Sequence, residues 1–178
     1  MFDFFKRPII RVPIRYGLIA AAFGFGLMML LYYMNRHPIL IPLIFDFRIL
    51  LFSILIIFSL KEVRDYYQDG ILFFWQGMIG SFIFTLTFAL LCSSLIFAYT
   101  RWNPEFVTSF IQQGLQQARD IPKANIDQLG KDKYQELLAS IPKTNGYLLA
   151  RQYFFQSFII SLFLSIIISV VLRRQPKP

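Results

Sequence analysis

Residues 61–80, KEVRDYYQDGILFFWQGMIG, separate two long apolar stretches and determine how the rest of the chain is interpreted. The first half is a charged turn, in which Gly70 is a suitable residue for ending a helix. The second half places Phe73, Phe74 and Trp75 directly before an apolar run, where aromatic side chains gather at a membrane–water boundary. This stretch therefore predicts a short connector between two membrane-spanning helices.

The composition of the 178-residue chain is typical of a membrane protein. It is 56% hydrophobic and 16% charged, and it contains 21 phenylalanines. A helix needs about 20 apolar residues to cross the hydrocarbon core of a bilayer. We therefore predict an all-α integral membrane protein with one membrane domain, residues 1–178, and four transmembrane helices joined by short turns and one mostly helical extramembrane loop. The predicted spans lie at about residues 16–34, 46–63, 77–99 and 153–172.

The loop between the third and fourth predicted spans carries two helical patterns. Asn103, Pro104 and Glu105 provide an N-cap, a first-turn proline and a first-turn acid, and Phe106 and Phe110 then fall on one face. We predict amphipathic helices at about residues 104–118 and 126–140. They are expected to lie along the membrane surface or over the end of the helix bundle, without a core of their own.

The charged residues argue for a lipid environment and against catalysis. The net charge of +8 comes mostly from basic residues beside apolar segments, which indicates topology signals and no nucleic-acid partner. The sequence has one cysteine, Cys92, and one histidine, His37, and it lacks a phosphate-binding glycine loop or a serine elbow. We expect no enzyme activity, no cofactor and no metal site.

The basic termini predict the orientation. An even number of spans places both termini on one side, and their lysine and arginine clusters favour the cytoplasmic side of a bacterial inner membrane. Residues 100–151 carry seven Lys and Arg residues, which argues for the opposite orientation. The N-terminal cluster receives more weight because long loops constrain orientation less.

Local signals fix the expected helix starts. Pro8 and Pro13 discourage a regular helix before Tyr16. Asp46 is a suitable N-cap for the second span, and Arg48 is interpreted as an arginine that snorkels to the outer interface. An internal ion pair between them is disfavoured, because residues two apart on a helix do not face each other.

Small residues recur every four positions in the last two spans. Such stripes allow close helix packing in lipid, and the stripe on the third span predicts a central helix. A polar pathway for water, an ion or a headgroup is the alternative. Each serine hydroxyl of the fourth span can bond the carbonyl one turn back, so none of these four need be unsatisfied. The two stripes are Gly77, Ser81, Thr85, Ala89 and Ser93, and Ser157, Ser161, Ser165 and Ser169.

Several short motifs, in this order and spacing, resemble one family across nearly the whole chain. They are Arg15-Tyr16-Gly17, Arg64 with Gly70, Phe74 and Gly77, and Asn103-Pro104-Glu105-Phe106. The pattern resembles the bacterial membrane family called domain of unknown function 4199. The resemblance implies four spans and carries no assigned activity.

Two functions remain open from the sequence. The first is a non-catalytic accessory or scaffolding subunit of a membrane complex, which contacts a protein partner or a second copy through candidate interface residues. Those residues are Arg64, Gly70, Phe74, Phe106 and Phe110. The alternative is a lipid or small-solute binding or transport protein, in which the amphipathic helix acts as a lid over the bundle.

Overall fold

The computed structural model describes residues 7–122, 125–127 and 130–175. Within them the fold is helical, and the β-type pairing recorded is a single antiparallel bridge between Leu72 and Arg174. The α-helices of ten residues or more are α1 (Pro8–Tyr33), α2 (Phe47–Tyr67), α3 (Phe74–Trp102), α4 (Glu105–Arg119), α5 (Lys131–Ser140) and α6 (Gly146–Leu172). The C-terminal part of the loop helix predicted at 126–140 corresponds to α5. Residues 128–129 of that prediction lie outside the described part of the chain.

Three of these helices, α1, α3 and α6, are long and apolar enough to cross a membrane. The helix α2 is 21 residues long but is not among them. It carries five charged residues, Arg48, Lys61, Glu62, Arg64 and Asp65, which lie at its two ends. Length and composition thus support three candidate spans, one fewer than the four predicted.

The four long helices pack side by side, with α3 in contact with each of the others. It lies against α6, α1 and α2, and α2 also packs against α1 and α6. Phenylalanine rings fill the space between the helices: Phe52 of α2 meets Phe84 and Phe88 of α3 edge-on, at centroid distances of 5.5 and 4.7 Å. The predicted central position of the third helix agrees with this arrangement.

The helix α1 begins at Pro8, eight residues before the predicted start, so the expectation for the prolines was wrong. Pro8 occupies the first turn, where a missing N–H costs nothing and a fixed φ suits the helix. Pro13 lies inside the helix and is buried beside Gly80 of α3. Packing there offsets the one hydrogen bond that Pro13 cannot donate.

The helix α6 also begins earlier than predicted, at Gly146 rather than near residue 153. The Asn145 side chain caps it by accepting a hydrogen bond of 2.9 Å from the Leu148 N–H. Gly146 lies against Thr100 so closely that a Cβ would overlap the threonine hydroxyl oxygen. The polar residues Arg151 and Gln152 made this first part of the helix resemble a loop.

Residues 34–46, 103–122 and 130–145 form one end of the molecule, which is covered by α4. Its buried residues, Phe106, Phe110, Gly114 and Ala118, recur every four positions and face the segment that joins α1 to α2. The helix α5 has no buried residue. The start of α1, the end of α6 and the connector between α2 and α3 lie together at the opposite end, where Leu72 pairs with Arg174 in both directions at 3.0 and 2.9 Å.

Candidate functional site

The two small-residue stripes pack against each other between α3 and α6. A Cβ on Gly77 would lie 2.9 Å from the Cβ of Ser169, and the Thr85 hydroxyl hydrogen-bonds the Ser161 hydroxyl. The two helices are therefore antiparallel here, and a residue eight positions further along α3 meets a residue eight positions earlier on α6. Ser81, Ala89, Ser157 and Ser165 are buried as well, and Ser93 is half-buried. We call this contact the small-residue ladder.

The hydroxyl groups of the ladder are not all satisfied. Thr85 donates to the Ser81 carbonyl at 2.9 Å, Ser157 donates to the Tyr153 carbonyl at 2.8 Å, and the Ser161 and Ser165 hydroxyls are 3.3 Å apart. The Ser81 and Ser169 hydroxyls are buried without a partner among the described residues. The expectation that each serine of the fourth predicted span would find an acceptor is therefore wrong for Ser169, and both Ser81 and Ser169 pack as small groups.

One side of the ladder is reached from the outer surface through an open groove of about 270 Å³. Its walls are mostly apolar and include Phe82, Phe158 and Leu162, while Thr85 and Ser161 also line it. The hydroxyls of these two residues already bond each other. The groove therefore offers an apolar surface with a small, internally paired polar patch.

A buried charged cluster that the sequence interpretation missed joins α2 to α6. The Arg48 and Asp46 side chains are 2% and 4% exposed and form an ion pair. The Arg48 Nε donates to both Asp46 carboxylate oxygens at 2.9 Å, and its Nη atoms donate to Ser157 Oγ at 3.0 Å and Gln156 Oε1 at 3.1 Å. The guanidinium carbon also lies 4.2 Å from the Tyr153 ring centroid. We call these residues the arginine clamp.

Asp46 is the N-cap of α2, as predicted, but the prediction of a snorkelling arginine was wrong because Arg48 is buried and pairs with this cap. As the N-cap, Asp46 has extended backbone angles, φ −71° and ψ 124°, so its side chain folds back over the first turn of α2. There it accepts both the Arg48 N–H, at 2.9 Å, and the guanidinium. The rule against pairs two residues apart applies only when both are helical. An acid at the cap and a base two residues later was the available signal.

Arg64, a candidate interface residue, is largely turned inward. It is 9% exposed, and its guanidinium donates to Asp65 at 2.6 and 3.1 Å and to the Leu172 carbonyl, at the C-terminal end of α6, at 3.5 Å. This placement complements the negative end of a helix. Arg64 therefore ties α2 to α6, which corrects its predicted role as a contact with a partner.

The other candidates divide between the two ends. Gly70, with φ +79°, reverses the chain after α2 and donates its N–H to the Arg64 carbonyl at 2.9 Å, and Phe74 remains 37% exposed. Phe106 and Phe110 are 0% and 7% exposed and pack on the His37 ring at centroid distances of 4.5 and 5.2 Å. These two phenylalanines hold α4 to the protein, so the prediction that they form a partner surface is wrong.

His37 is the polar centre of the contact under α4. Its Nε2 donates to the Phe106 carbonyl at 3.2 Å, and its backbone N–H donates to Gln113 Oε1 at 2.9 Å. The Nδ1 atom is buried without a partner among the described residues. Burial lowers the pKa of His37 from 6.5 to about 4, so the neutral ring is the stable form in the folded protein.

Acidification should therefore weaken the fold through His37. The unfolded chain takes up the proton at a pKa near 6.5 and the folded protein only near 4, so stability is lost as the pH falls between these values. At pH 5 the expected loss is about 2 kcal/mol. Melting of the purified protein at pH 7.5, 6 and 5 measures it, and His37→Gln should flatten the dependence. Equal pH dependence in both proteins would contradict this assignment.

The family of the chain follows from a match over nearly its whole length. The model of the family described as "Protein of unknown function (DUF4199)" matches residues 15–174. The chain belongs to this family. The match confirms the resemblance drawn from the sequence motifs. No curated protein and no solved structure matches the chain.

The DUF4199 match begins at Arg15 and ends at Arg174, the residue that pairs with Leu72. It thus includes the small-residue ladder, the arginine clamp and the contact under α4. Among the described residues of this DUF4199 chain, no group of three or more His, Cys, Asp or Glu residues could hold a metal ion. The chemical role of these polar groups is to join helices. Hydroxyls, a guanidinium and a carboxylate form hydrogen bonds and an ion pair that link α2, α3 and α6.

Proposed function

We propose that this DUF4199 protein is an integral membrane protein in which α2 forms a fourth span beside α1, α3 and α6. In support, α2 packs between α1 and α6, and residues 49–60 carry no charge. Its charged residues lie at the two ends, where Arg48 is paired with Asp46. In this arrangement residues 103–145 lie outside the bilayer, and both termini face the cytoplasm from the inner membrane.

The proposed role is that of a non-catalytic accessory or scaffolding subunit. The observation that carries it is the use of the buried polar groups: the arginine clamp and the Thr85–Ser161 pair of the ladder bond helix to helix, and these donors are directed at protein acceptors. The surfaces that remain for contact with another protein are the apolar outer surface of the helices and the end of the molecule covered by α4. Such a protein acts by holding a membrane-protein partner, or a second copy of itself, in place.

Gentle extraction of the tagged full-length chain, followed by mass spectrometry of its protein partners, tests this role. A stoichiometric partner is expected for the wild-type chain. Ser161→Leu should weaken both folding and that association, because Ser161 is 3% exposed and lies against Thr85. Ile167→Leu is the matched control, because Ile167 is 61% exposed on the same helix. A protein that purifies alone and as a monomer, or normal folding and association of both Ser161→Leu and Ala89→Leu, contradicts the proposal.

A lipid or small-solute binding protein is the second candidate, and the groove at Thr85 and Ser161 favours it. Its volume and apolar walls suit an acyl chain better than a polar solute. The same purification distinguishes the two candidates. One lipid class in fixed ratio, without any protein partner, would place the lipid-binding function first.

A further inference from the structure

A second opening lies at the terminal end of the protein, away from the ladder and the clamp. It is a cavity of about 600 Å³ between α1 and α2. Arg15 and Tyr16 line it from α1, and Lys61, Glu62 and Asp65 line it from the last turns of α2. The ladder groove is predominantly apolar, whereas this cavity is bordered by two basic and two acidic side chains.

The charges of the cavity are arranged around a fixed ion pair. Arg15 forms a salt bridge with Glu62, and the Tyr16 hydroxyl donates to the same Glu62 oxygen at 3.0 Å. The Arg15 side chain is 56% exposed and the Glu62 side chain 18%. A guanidinium has five N–H donors, so Arg15 keeps donors for a ligand while it holds Glu62 in place.

The position of the cavity matches the boundary between lipid and headgroups in the proposed membrane arrangement. The apolar part of α1 begins beside Arg15, and the charged part of α2 begins at Lys61. Phe58, one turn deeper on α2, lines the apolar side and is 54% exposed, and Tyr66 lines the water side. A molecule in the cavity therefore meets an apolar wall on one side and charges on the other.

From this arrangement we propose that the cavity binds the headgroup of a zwitterionic phospholipid with a primary ammonium, of the phosphatidylethanolamine class. Arg15 and Lys61 face the phosphate, and Glu62 and Asp65 accept hydrogen bonds from the ammonium group. The acyl chains leave past Phe58 along α1 and α2. The two carboxylates give the lining acceptors for an ammonium group, which an anionic lipid such as phosphatidylglycerol does not carry, and Arg64 also donates to Asp65 from outside the cavity. This inference rests on the proposed membrane arrangement.

Native mass spectrometry of the full chain, with equal amounts of phosphatidylethanolamine and phosphatidylglycerol added, tests the proposal. The wild-type chain should retain phosphatidylethanolamine. Neutralising both acids, Glu62→Gln with Asp65→Asn, makes the lining positive and should shift the bound ratio toward phosphatidylglycerol by about fivefold for each charge changed. Lys61→Gln leaves the Arg15–Glu62 pair intact and should weaken retention of both lipids.

Asp69→Asn is the matched control, since Asp69 is an exposed acid in the same connector that does not line the cavity. It should leave the ratio unchanged. Equal retention of the two lipids by the wild type, or the same shift in Asp69→Asn, overturns the proposal. Displacement of the lipid by millimolar phosphoethanolamine, which has no acyl chains, overturns it in favour of a soluble ligand.

Membrane fractionation of each variant separates failure of this inference from failure of the proposed function. A chain that remains in the membrane and shows no lipid preference refutes the headgroup site alone. A wild-type chain that is absent from the membrane fraction refutes the membrane arrangement itself.

Discussion

Asp46→Ala is expected to lower the free energy of unfolding by about 3 to 5 kcal/mol, because it leaves a buried arginine without its counter-charge. Arg48 is 1% exposed, and both carboxylate oxygens of Asp46 accept hydrogen bonds from the Arg48 Nε. The remaining acceptors on α6 are uncharged. Reversible unfolding of the purified protein in mixed micelles with increasing dodecyl sulfate measures the change.

The double variant Asp46→Asn with Arg48→Met should recover most of that loss. It removes both charges together, keeps an N-cap side chain and fills the same space with an apolar one. Arg151→Gln is the matched control, since Arg151 is exposed on α6 near the same end, and we expect little change there. A double variant as unstable as Asp46→Ala would show that the clamp does not act as a charge pair.

The second large effect is expected at Gly77, where the small-residue ladder is tightest. A Cβ at this position would lie 2.7 Å from Ser169 Oγ and 2.9 Å from Ser169 Cβ, so Gly77→Ala requires α3 and α6 to move apart. Overpacking of this kind costs about 1 to 3 kcal/mol. The same micelle unfolding experiment measures it.

A double variant that moves the side chain from α6 to α3 tests whether this contact causes the loss of stability. Gly77→Ala combined with Ser169→Gly removes the two atoms nearest to the new methyl group, leaves the Ser169 Cα, at 3.2 Å, as the nearest remaining atom, and should restore much of the stability. Gly26→Ala is the control, because Gly26 has no neighbour within 4 Å of a Cβ and lies inside helix α1. It should be neutral or slightly stabilising. Equal losses at Gly77 and Gly26 would contradict this account.

Periodicity was enough to predict the helical architecture and the ladder. Runs of apolar residues gave all four long helices within a few residues at most ends, and the four-residue spacing of Gly77, Thr85, Ser161 and Ser169 marked the faces that pack together. These are local properties of a helix surface, so they can be predicted without knowledge of the fold. The register between the two helices required the structure.

The arginine clamp and the anchoring of α4 were not predictable in the same way. Arg48 bonds residues 105 to 109 positions later in the chain, and His37 meets Phe106 across 69 positions. Hydrophobic patterning could show that Phe106 and Phe110 share a face. It could not decide whether that face meets lipid, a partner protein or the chain's own loop.

The arginine clamp also bears on the order in which the protein is made. At a synthesis rate of about 5 to 20 residues per second, Arg48 leaves the ribosome roughly 5 to 20 s before its acceptors on α6. During that interval Asp46, two residues away, is already available to pair with the guanidinium and neutralise its charge. A nascent chain that stops before Tyr153 keeps this local pair but lacks every acceptor supplied by α6.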